Sequence, residues 1–96
     1  MSIAILGGLD RLKKSYIKDA KAMGYQVKVF SQPVPNLVDR LSRVNLIVIF
    51  TGNVAHSMVV AARRVGKKYS IPIGRTQSNG LAAFKRCLVE QSPSTV

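Results

Sequence analysis

The sequence predicts an α/β fold: a small three-layer α/β/α domain of Rossmann-like or flavodoxin-like type, built on a four-stranded parallel sheet. One observation is the run Leu46–Phe50, five apolar residues without alternation. Such a run is typical of a strand buried on both faces, as in a parallel sheet covered by helices. The other is that strand-like and helix-like segments alternate along the chain, which indicates right-handed crossovers between parallel strands.

The first half of the chain supplies two strands and one helix. Ser2–Leu6 is an apolar strand that ends at Gly7-Gly8, and Tyr25–Phe30 alternates apolar with polar residues, which is typical of an edge strand. Between them, apolar residues recur at helical spacing up to the stop signal Gly24. These residues are Leu12, Tyr16, Ala20 and Met23.

The second half repeats the alternation. The predicted elements are a short helix with Asn36 as its N-cap, the strand Leu46–Phe50, a helix over Val54–Tyr69, a short strand Ile71–Ile73, a loop over Gly74–Asn79 and a helix over Gly80–Val89. Pro72 favours an edge position for the last strand. Two edge strands and two central ones predict the strand order 2-1-3-4.

Composition limits the class of protein. The chain has 96 residues, which predicts one domain over 1–90 followed by a flexible tail over 91–96. No apolar segment approaches the roughly 20 residues that span a bilayer, so we expect a cytoplasmic protein without a membrane partner. Cys87 is the only cysteine and indicates packing rather than a disulfide or a zinc site.

The carboxyl ends of parallel strands share one edge of the sheet, where α/β proteins bind ligands. Three loops should therefore converge there, each leading into a helix N-terminus that favours anions. The candidate ligand-binding residues are Gly7, Gly8, Asp10, Thr51, Gly52, Asn53, His56, Arg75 and Ser78. Structural roles are equally open: Thr51 and Asn53 as caps of the third helix, Ser78 and Asn79 as caps of the fourth.

Catalysis is poorly supported by these residues. Asp10 is the only carboxylate in the proposed site, so there is no pair for acid/base work and no acidic cluster for magnesium. His56 is the only histidine, and its position in the first turn of a helix is equally consistent with a hydrogen bond to a neighbouring loop. We assign no catalytic residue, no metal site and no particular cofactor.

Charge points to polyanions. Fifteen Lys and Arg residues stand against four Asp and Glu, for a formal net charge of +11 and a pI of about 10.6. The candidate nucleic-acid-binding residues lie mostly on helices: Arg11, Lys14, Lys18, Arg63, Arg64, Lys67, Lys68, Arg75, Lys85 and Arg86. The three Phe residues are predicted in the core, which leaves Tyr16, Tyr25 and Tyr69 as possible stacking surfaces.

The order of these motifs resembles a family of small bacterial proteins known as domain of unknown function 2325. The resemblance runs from Ile5–Gly8, through Thr51 and the segment Val54-Ala55-His56, to Ile71–Ile73 and the stretch from Arg75 to Leu81. The loop of that family is of the type Thr-Asp-x-Val-Ser-His, whereas this chain has Gly52 and Ala55 at the acidic and serine positions. The resemblance implies a Rossmann-like fold, no established activity, and a loop poorly suited to a metal or a nucleophile.

Three functions remain open from the sequence. The leading one is a non-enzymatic basic module that binds DNA or RNA through phosphate contacts. A regulatory role would be consistent with such a module. The second is a sensor of a small anionic ligand, such as a nucleotide or a phosphorylated metabolite, at the carboxyl edge of the sheet. The third is a homodimer formed through an exposed edge strand such as Ile71–Ile73 or through part of one helix face.

Overall fold

A four-stranded parallel sheet forms the centre of the computed structural model, which describes residues 1–91. Its strands are β1 (Ser2–Leu6), β2 (Gln26–Phe30), β3 (Leu46–Phe50) and β4 (Ile73–Thr76). They lie in the order β2-β1-β3-β4, all parallel, which confirms the predicted order. The central strands are those whose residues are apolar on both faces, because each face is covered by helices.

Helices form one layer on each face of the sheet. A 3-10 turn at Asp10–Leu12 leads into α1 (Lys13–Ala22), and the remaining helices are α2 (Leu37–Leu41), α3 (His56–Tyr69) and α4 (Leu81–Gln91). In the α1/α4 layer, Tyr16, Ala20, Phe84 and Leu88 cover Ile3, Ile5 and Val48. In the α2/α3 layer, Leu37, Leu41, Met58, Ala62 and Val65 cover Ala4, Leu6, Ile47 and Ile49. The three-layer α/β/α prediction is confirmed.

Three aromatic rings lie together in the α1/α4 layer. The ring centroid of Tyr16 is 4.8 Å from that of Phe50 and 5.2 Å from that of Phe84. Tyr16 and Tyr25 are only 1% and 5% exposed, so the expectation that they offer stacking surfaces was wrong. Tyr69 is 49% exposed and keeps that possibility.

The fourth strand lies further along the chain than predicted. It spans Ile73–Thr76, so Gly74 and Arg75 are strand residues rather than loop residues, and Pro72 precedes the strand. The carbonyl of Pro72 still accepts a hydrogen bond from the Ile47 amide, at 3.0 Å. Ile71 and Ile73 are half-buried against the α2/α3 core, so the segment offers less exposed apolar surface for a homodimer than the sequence suggested.

Helix ends also differ from prediction by a few residues. α3 begins at His56 rather than Val54, with Ala55 as its N-cap and no capping side chain. Asn36 is the N-cap residue of α2, but its backbone is left-handed at φ 60° and its side chain makes no capping hydrogen bond. α4 is described over Leu81–Gln91, so Gln91 of the predicted tail is helical, and the rest of that tail, 92–96, lies outside the described residues.

Within residues 1–91, none of the helices is both long enough and apolar enough to cross a membrane.

Candidate functional site

Direct hydrogen bonds join the three loops at the carboxyl edge of the sheet. The side-chain amide of Asn53 donates to the Gly8 carbonyl at 2.6 Å, which ties the loop after β3 to the loop after β1. The Thr51 amide donates to the Thr76 carbonyl at 2.9 Å, which extends the contact to β4. The structure therefore brings these loops together, and it does so by packing them on one another.

Gly7 and Gly8 are accounted for by this packing. Both have left-handed backbones, at φ +83° and φ +88°. A Cβ on Gly7 would overlap the Asn53 carbonyl oxygen, and a Cβ on Gly8 would lie 2.9 Å from the Tyr16 ring and 3.0 Å from the Phe50 ring. Glycine is needed at both positions for conformation and space, whether or not an anion binds there.

The predicted caps have other partners. The Thr51 hydroxyl donates to the Thr76 carbonyl at 3.3 Å, and the Asn53 side chain is engaged with Gly8, so neither residue caps α3. The Ser78 hydroxyl accepts the Gly80 amide at 3.1 Å and so closes the turn before α4. Gly52 is exposed, and a Cβ added there would lie 3.2 Å from the Gln77 carbonyl oxygen.

The loop between β4 and α4 is fixed to the aromatic cluster through Tyr16. The Tyr16 hydroxyl donates to the Asn79 carbonyl at 2.5 Å and accepts the Leu9 amide at 3.4 Å. The side-chain oxygen Oδ1 of Asn79 is buried and has no hydrogen-bond partner within the described part of the chain. A buried tyrosine therefore holds the loop after β4 against the loop after β1.

Asp10, His56 and Arg75 are exposed. His56 is the first residue of α3, and Asp10 begins the 3-10 turn that precedes α1. Arg75 pairs in register with Ile49, a residue of the α2/α3 core, so its side chain lies on that face of the sheet. Arg75 therefore belongs with the α2/α3 surface more than with the loops.

The chemistry available at the loops is hydrogen bonding and weak electrostatics. Residues 1–91 contain no group of three or more His, Cys, Asp and Glu side chains that could hold a metal ion. Cys87 is a buried residue of α4. Desolvation by burial, with a further contribution from the Glu90 charge, raises the pKa of its thiol above the ordinary value of 9.0. That thiol stays protonated at neutral pH and is a poor nucleophile.

The two layers carry similar numbers of cations but different numbers of carboxylates, so their net charges differ. The α1/α4 layer, with its 3-10 turn, carries seven cations and three carboxylates: Arg11, Lys13, Lys14, Lys18, Lys21, Lys85 and Arg86, with Asp10, Asp19 and Glu90. The α2/α3 layer, with the strand residues on its side, carries eight cations and one carboxylate: Lys28, Arg40, Arg43, Arg63, Arg64, Lys67, Lys68 and Arg75, with Asp39. The formal charges are therefore +4 and +7.

Few of these cations are paired. In residues 1–91 the ion pairs are Arg43 with Asp39 at 3.7 Å and Lys85 with Asp19 at 4.0 Å. Helix α3 contains four cations and no carboxylate. Its net charge of +4 is the highest among the described helices, since α1 also has four cations but contains Asp19.

Two cations that line a cavity are absent from the predicted site residues. Lys28 of β2 and Arg40 of α2 line one cavity, although they are separated by a proline-containing loop. The one available signal was Lys28 itself, a charged residue at a position of β2 whose neighbour on the same face, Phe30, is buried. Arg40 gave no signal, because a cation on a short surface helix is ordinary.

Comparison with known proteins identifies the family only. The sequence model of a family described as an uncharacterized protein conserved in bacteria, DUF2325, matches residues 2–91. The match confirms the resemblance drawn from the loop and strand motifs. Neither the curated proteins nor the solved structures contained a significant match.

Proposed function

The chain belongs to this family of uncharacterized bacterial proteins, and we propose that it binds nucleic acid through phosphate contacts made by the α2/α3 layer. The observation that carries the proposal is the charge of that layer, eight cations against one carboxylate. Neutralising phosphates releases condensed counterions, which favours binding without base-specific contacts. Binding of this kind does not depend on sequence, so DNA and RNA are both suitable partners.

Helix α3 is the centre of the proposed surface. Its 14 residues extend about 21 Å, a length that corresponds to about six base-pair steps along a duplex axis. Lys67 and Lys68 lie in its last turn, where cations also offset the helix dipole. Arg63 and Arg64 lie nearer the middle of the helix and have no such explanation, so they are the best positions for a test.

The scarcity of exposed aromatic rings supports phosphate contacts rather than stacking on bases. Among the tyrosines of the described chain, Tyr69 is the exposed one, and its ring lies 5.4 Å from the ammonium nitrogen of Lys68. One partly covered ring gives little area for stacking bases. We therefore expect binding to depend strongly on salt and weakly on sequence.

The test compares two variants with the same change in net charge. Arg63→Glu/Arg64→Glu reverses charge on α3, and Lys18→Glu/Lys21→Glu reverses it on α1, where both lysines are exposed. Fluorescence anisotropy with mixed-sequence duplex and single strands, over a salt series, measures affinity. We expect the α3 variant to lose at least about 100-fold in affinity and the α1 variant to lose less than about tenfold.

The salt dependence gives a second readout. Four phosphate contacts on duplex DNA correspond to a slope of about −3.6 for log K against log salt. Arg63→Ala/Arg64→Ala should make that slope shallower by about two. Absence of binding even at about 50 mM salt would overturn the proposal, and equal losses in the α3 and α1 variants would overturn the assignment to the α2/α3 layer.

A further inference from the structure

A cavity lies beside the open edge of β2, on the α2/α3 side of the sheet. Its volume is about 270 Å³, and its lining residues are Lys28, Val29, Phe30 and Arg40. It is lined by three residues of the edge strand β2 and one residue of the short helix α2. None of its lining residues belongs to the three loops described above, which pack directly against each other.

The open edge of β2 contributes backbone groups to this cavity. The Gln26 amide donates to Met1 at 2.7 Å, and the Phe30 carbonyl accepts the Gly7 amide at 3.0 Å, so alternate residues of β2 are bonded on the β1 side. By that alternation the amide and carbonyl of Val29 point away from β1. The side chain of Val29 packs on the opposite face of the sheet, so its main chain is the part that lines the cavity.

The cavity is cationic. Lys28 and Arg40 are both exposed, and neither takes part in an ion pair in the described chain, where Asp39 is engaged with Arg43. No carboxylate lines the cavity. Phe30, 8% exposed, supplies an apolar wall, which lowers the local dielectric and strengthens charge interactions.

We propose that this cavity, the Lys28–Arg40 pocket, binds a phosphate group. A guanidinium offers a planar pair of donors that matches two phosphate oxygens, an ammonium offers a point charge, and the Val29 amide offers a third, neutral donor. The volume lies just below the range of about 300–1,000 Å³ for drug-sized ligands, so it suits a phosphate and the first atoms of its ester. The phosphate belongs either to the end of a nucleic acid strand or to a small phosphate monoester.

Each lining cation, taken alone, can be explained by a structural role that requires no ligand. A lysine on an edge strand discourages pairing with another strand, and an arginine in the last turn of a helix offsets the helix dipole. Neither effect requires the two cations to share one cavity with an open backbone edge. The proposal rests on that coincidence and does not depend on nucleic-acid binding by α3.

An amide-resonance titration by NMR tests the pocket directly. The ¹⁵N-labelled chain is titrated with inorganic phosphate, then with AMP and with adenosine, at constant ionic strength set by chloride. We expect saturable shifts of the Val29, Phe30 and Arg40 amides with phosphate and AMP and none with adenosine. Shifts that never saturate, or that are as large along α3 as around the pocket, would overturn the proposal.

Variants make the assignment specific. Lys28→Gln/Arg40→Gln should weaken phosphate binding at least about tenfold, whereas Arg43→Gln, a nearby exposed arginine outside the pocket, should leave it within about twofold. Equal effects of the two variants would show general attraction to a basic surface and would refute the pocket. Arg63→Glu/Arg64→Glu should retain phosphate binding, so failure of the α3 proposal is distinguishable from failure of this one.

Oligonucleotides identify the source of the phosphate. Otherwise identical strands with a 5′-phosphate or a 5′-hydroxyl are compared by anisotropy in the wild type and in Lys28→Gln/Arg40→Gln. A preference of at least about tenfold for the 5′-phosphate that is lost in the variant supports recognition of strand ends. No preference, together with saturable AMP binding, supports a small monoester, and the absence of both refutes the pocket.

Discussion

The α1/α4 layer packs on the sheet through aromatic rings, whereas the α2/α3 layer packs through aliphatic side chains and Met58. The first layer also carries three of the four carboxylates of the chain, one of which lies 4.0 Å from the Lys85 ammonium. The second carries one carboxylate, the longest of the described helices and the Lys28–Arg40 pocket. The aromatic packing thus lies in the α1/α4 layer, and the larger excess of cations over carboxylates lies in the α2/α3 layer.

This division has a physical rationale. Like charges on one surface repel each other and lower stability, whereas a buried aromatic cluster adds stability through large buried area and ring contacts worth about 0.5–1.5 kcal/mol per pair. Tyr16 also connects the cluster to two loops through its hydroxyl. The basic α2/α3 face can therefore be altered at its surface without disturbing the part of the core that holds the loops.

The largest expected effect comes from removing a ring of the α1/α4 layer. Phe84 is fully buried, and Phe84→Ala should lower the free energy of unfolding by about 3–5 kcal/mol. Arg63→Glu/Arg64→Glu should change it by less than about 1 kcal/mol, because both side chains are exposed. Urea denaturation followed by circular dichroism measures both, and similar losses in the two variants would contradict the division between the layers.

A pair of glycines provides a smaller and cleaner test of the aromatic cluster. Gly8 and Gly24 have nearly the same φ, +88° and +89°, but a Cβ at Gly24 meets nothing within 4 Å. Gly24→Ala should cost about 1–2 kcal/mol for the left-handed backbone alone. Gly8→Ala should cost about 1–3 kcal/mol more, because the Tyr16 and Phe50 rings must shift.

Thermal and urea unfolding of both alanine variants give the comparison. Equal losses would mean that the rings yield easily and that Gly8 is not required by packing. Unchanged phosphate and nucleic-acid affinity in folded Gly8→Ala would also separate the glycine from ligand binding.

The smallest expected effect is a dependence of stability on alkaline pH. Burial raises the pKa of Cys87, so the folded state keeps the thiol proton longer than the unfolded state does. Its contribution to the free energy of unfolding is complete below the ordinary thiol pKa of 9.0 and declines as the pH rises above that value. Stability should therefore fall more between about pH 7 and about pH 10 in the wild type than in Cys87→Ala, and an equal fall would contradict it.

The strands of the sheet were predictable where the pattern of apolar and polar residues indicates which faces are buried. Leu46–Phe50 is apolar on both faces and the edge strand β2 alternates, so the strand order follows from these patterns. β4 was misplaced because Gly74 and Arg75 look like loop residues, yet they lie in register with Val48 and Ile49. Gly66 of α3 gives Ile73 room to pack, and no local pattern reveals that contact between distant residues.

The candidate site was predictable in position and less so in detail. Parallel topology was sufficient to bring the loops at Gly8 and Asn53 together, because all strands end at one edge. The hydrogen bond that closes the gap between these loops depends on side-chain geometry. Lys28 and Arg40 line one cavity because α2 packs beside the edge strand β2, and no local sequence pattern reveals where a short helix after a proline-containing loop is placed.

The position of β1 at the centre of the sheet affects the order of events during synthesis. β1 pairs with β2 and β3, and the Ser2 carbonyl accepts the Asn45 amide at 2.8 Å, so the strand has both neighbours only after more than forty further residues are made. At about 5–20 residues per second, Ile3–Leu6 waits for several seconds. During that interval the apolar residues of β1 can contact chaperones or other nascent chains. The rate of translation sets how long they stay exposed.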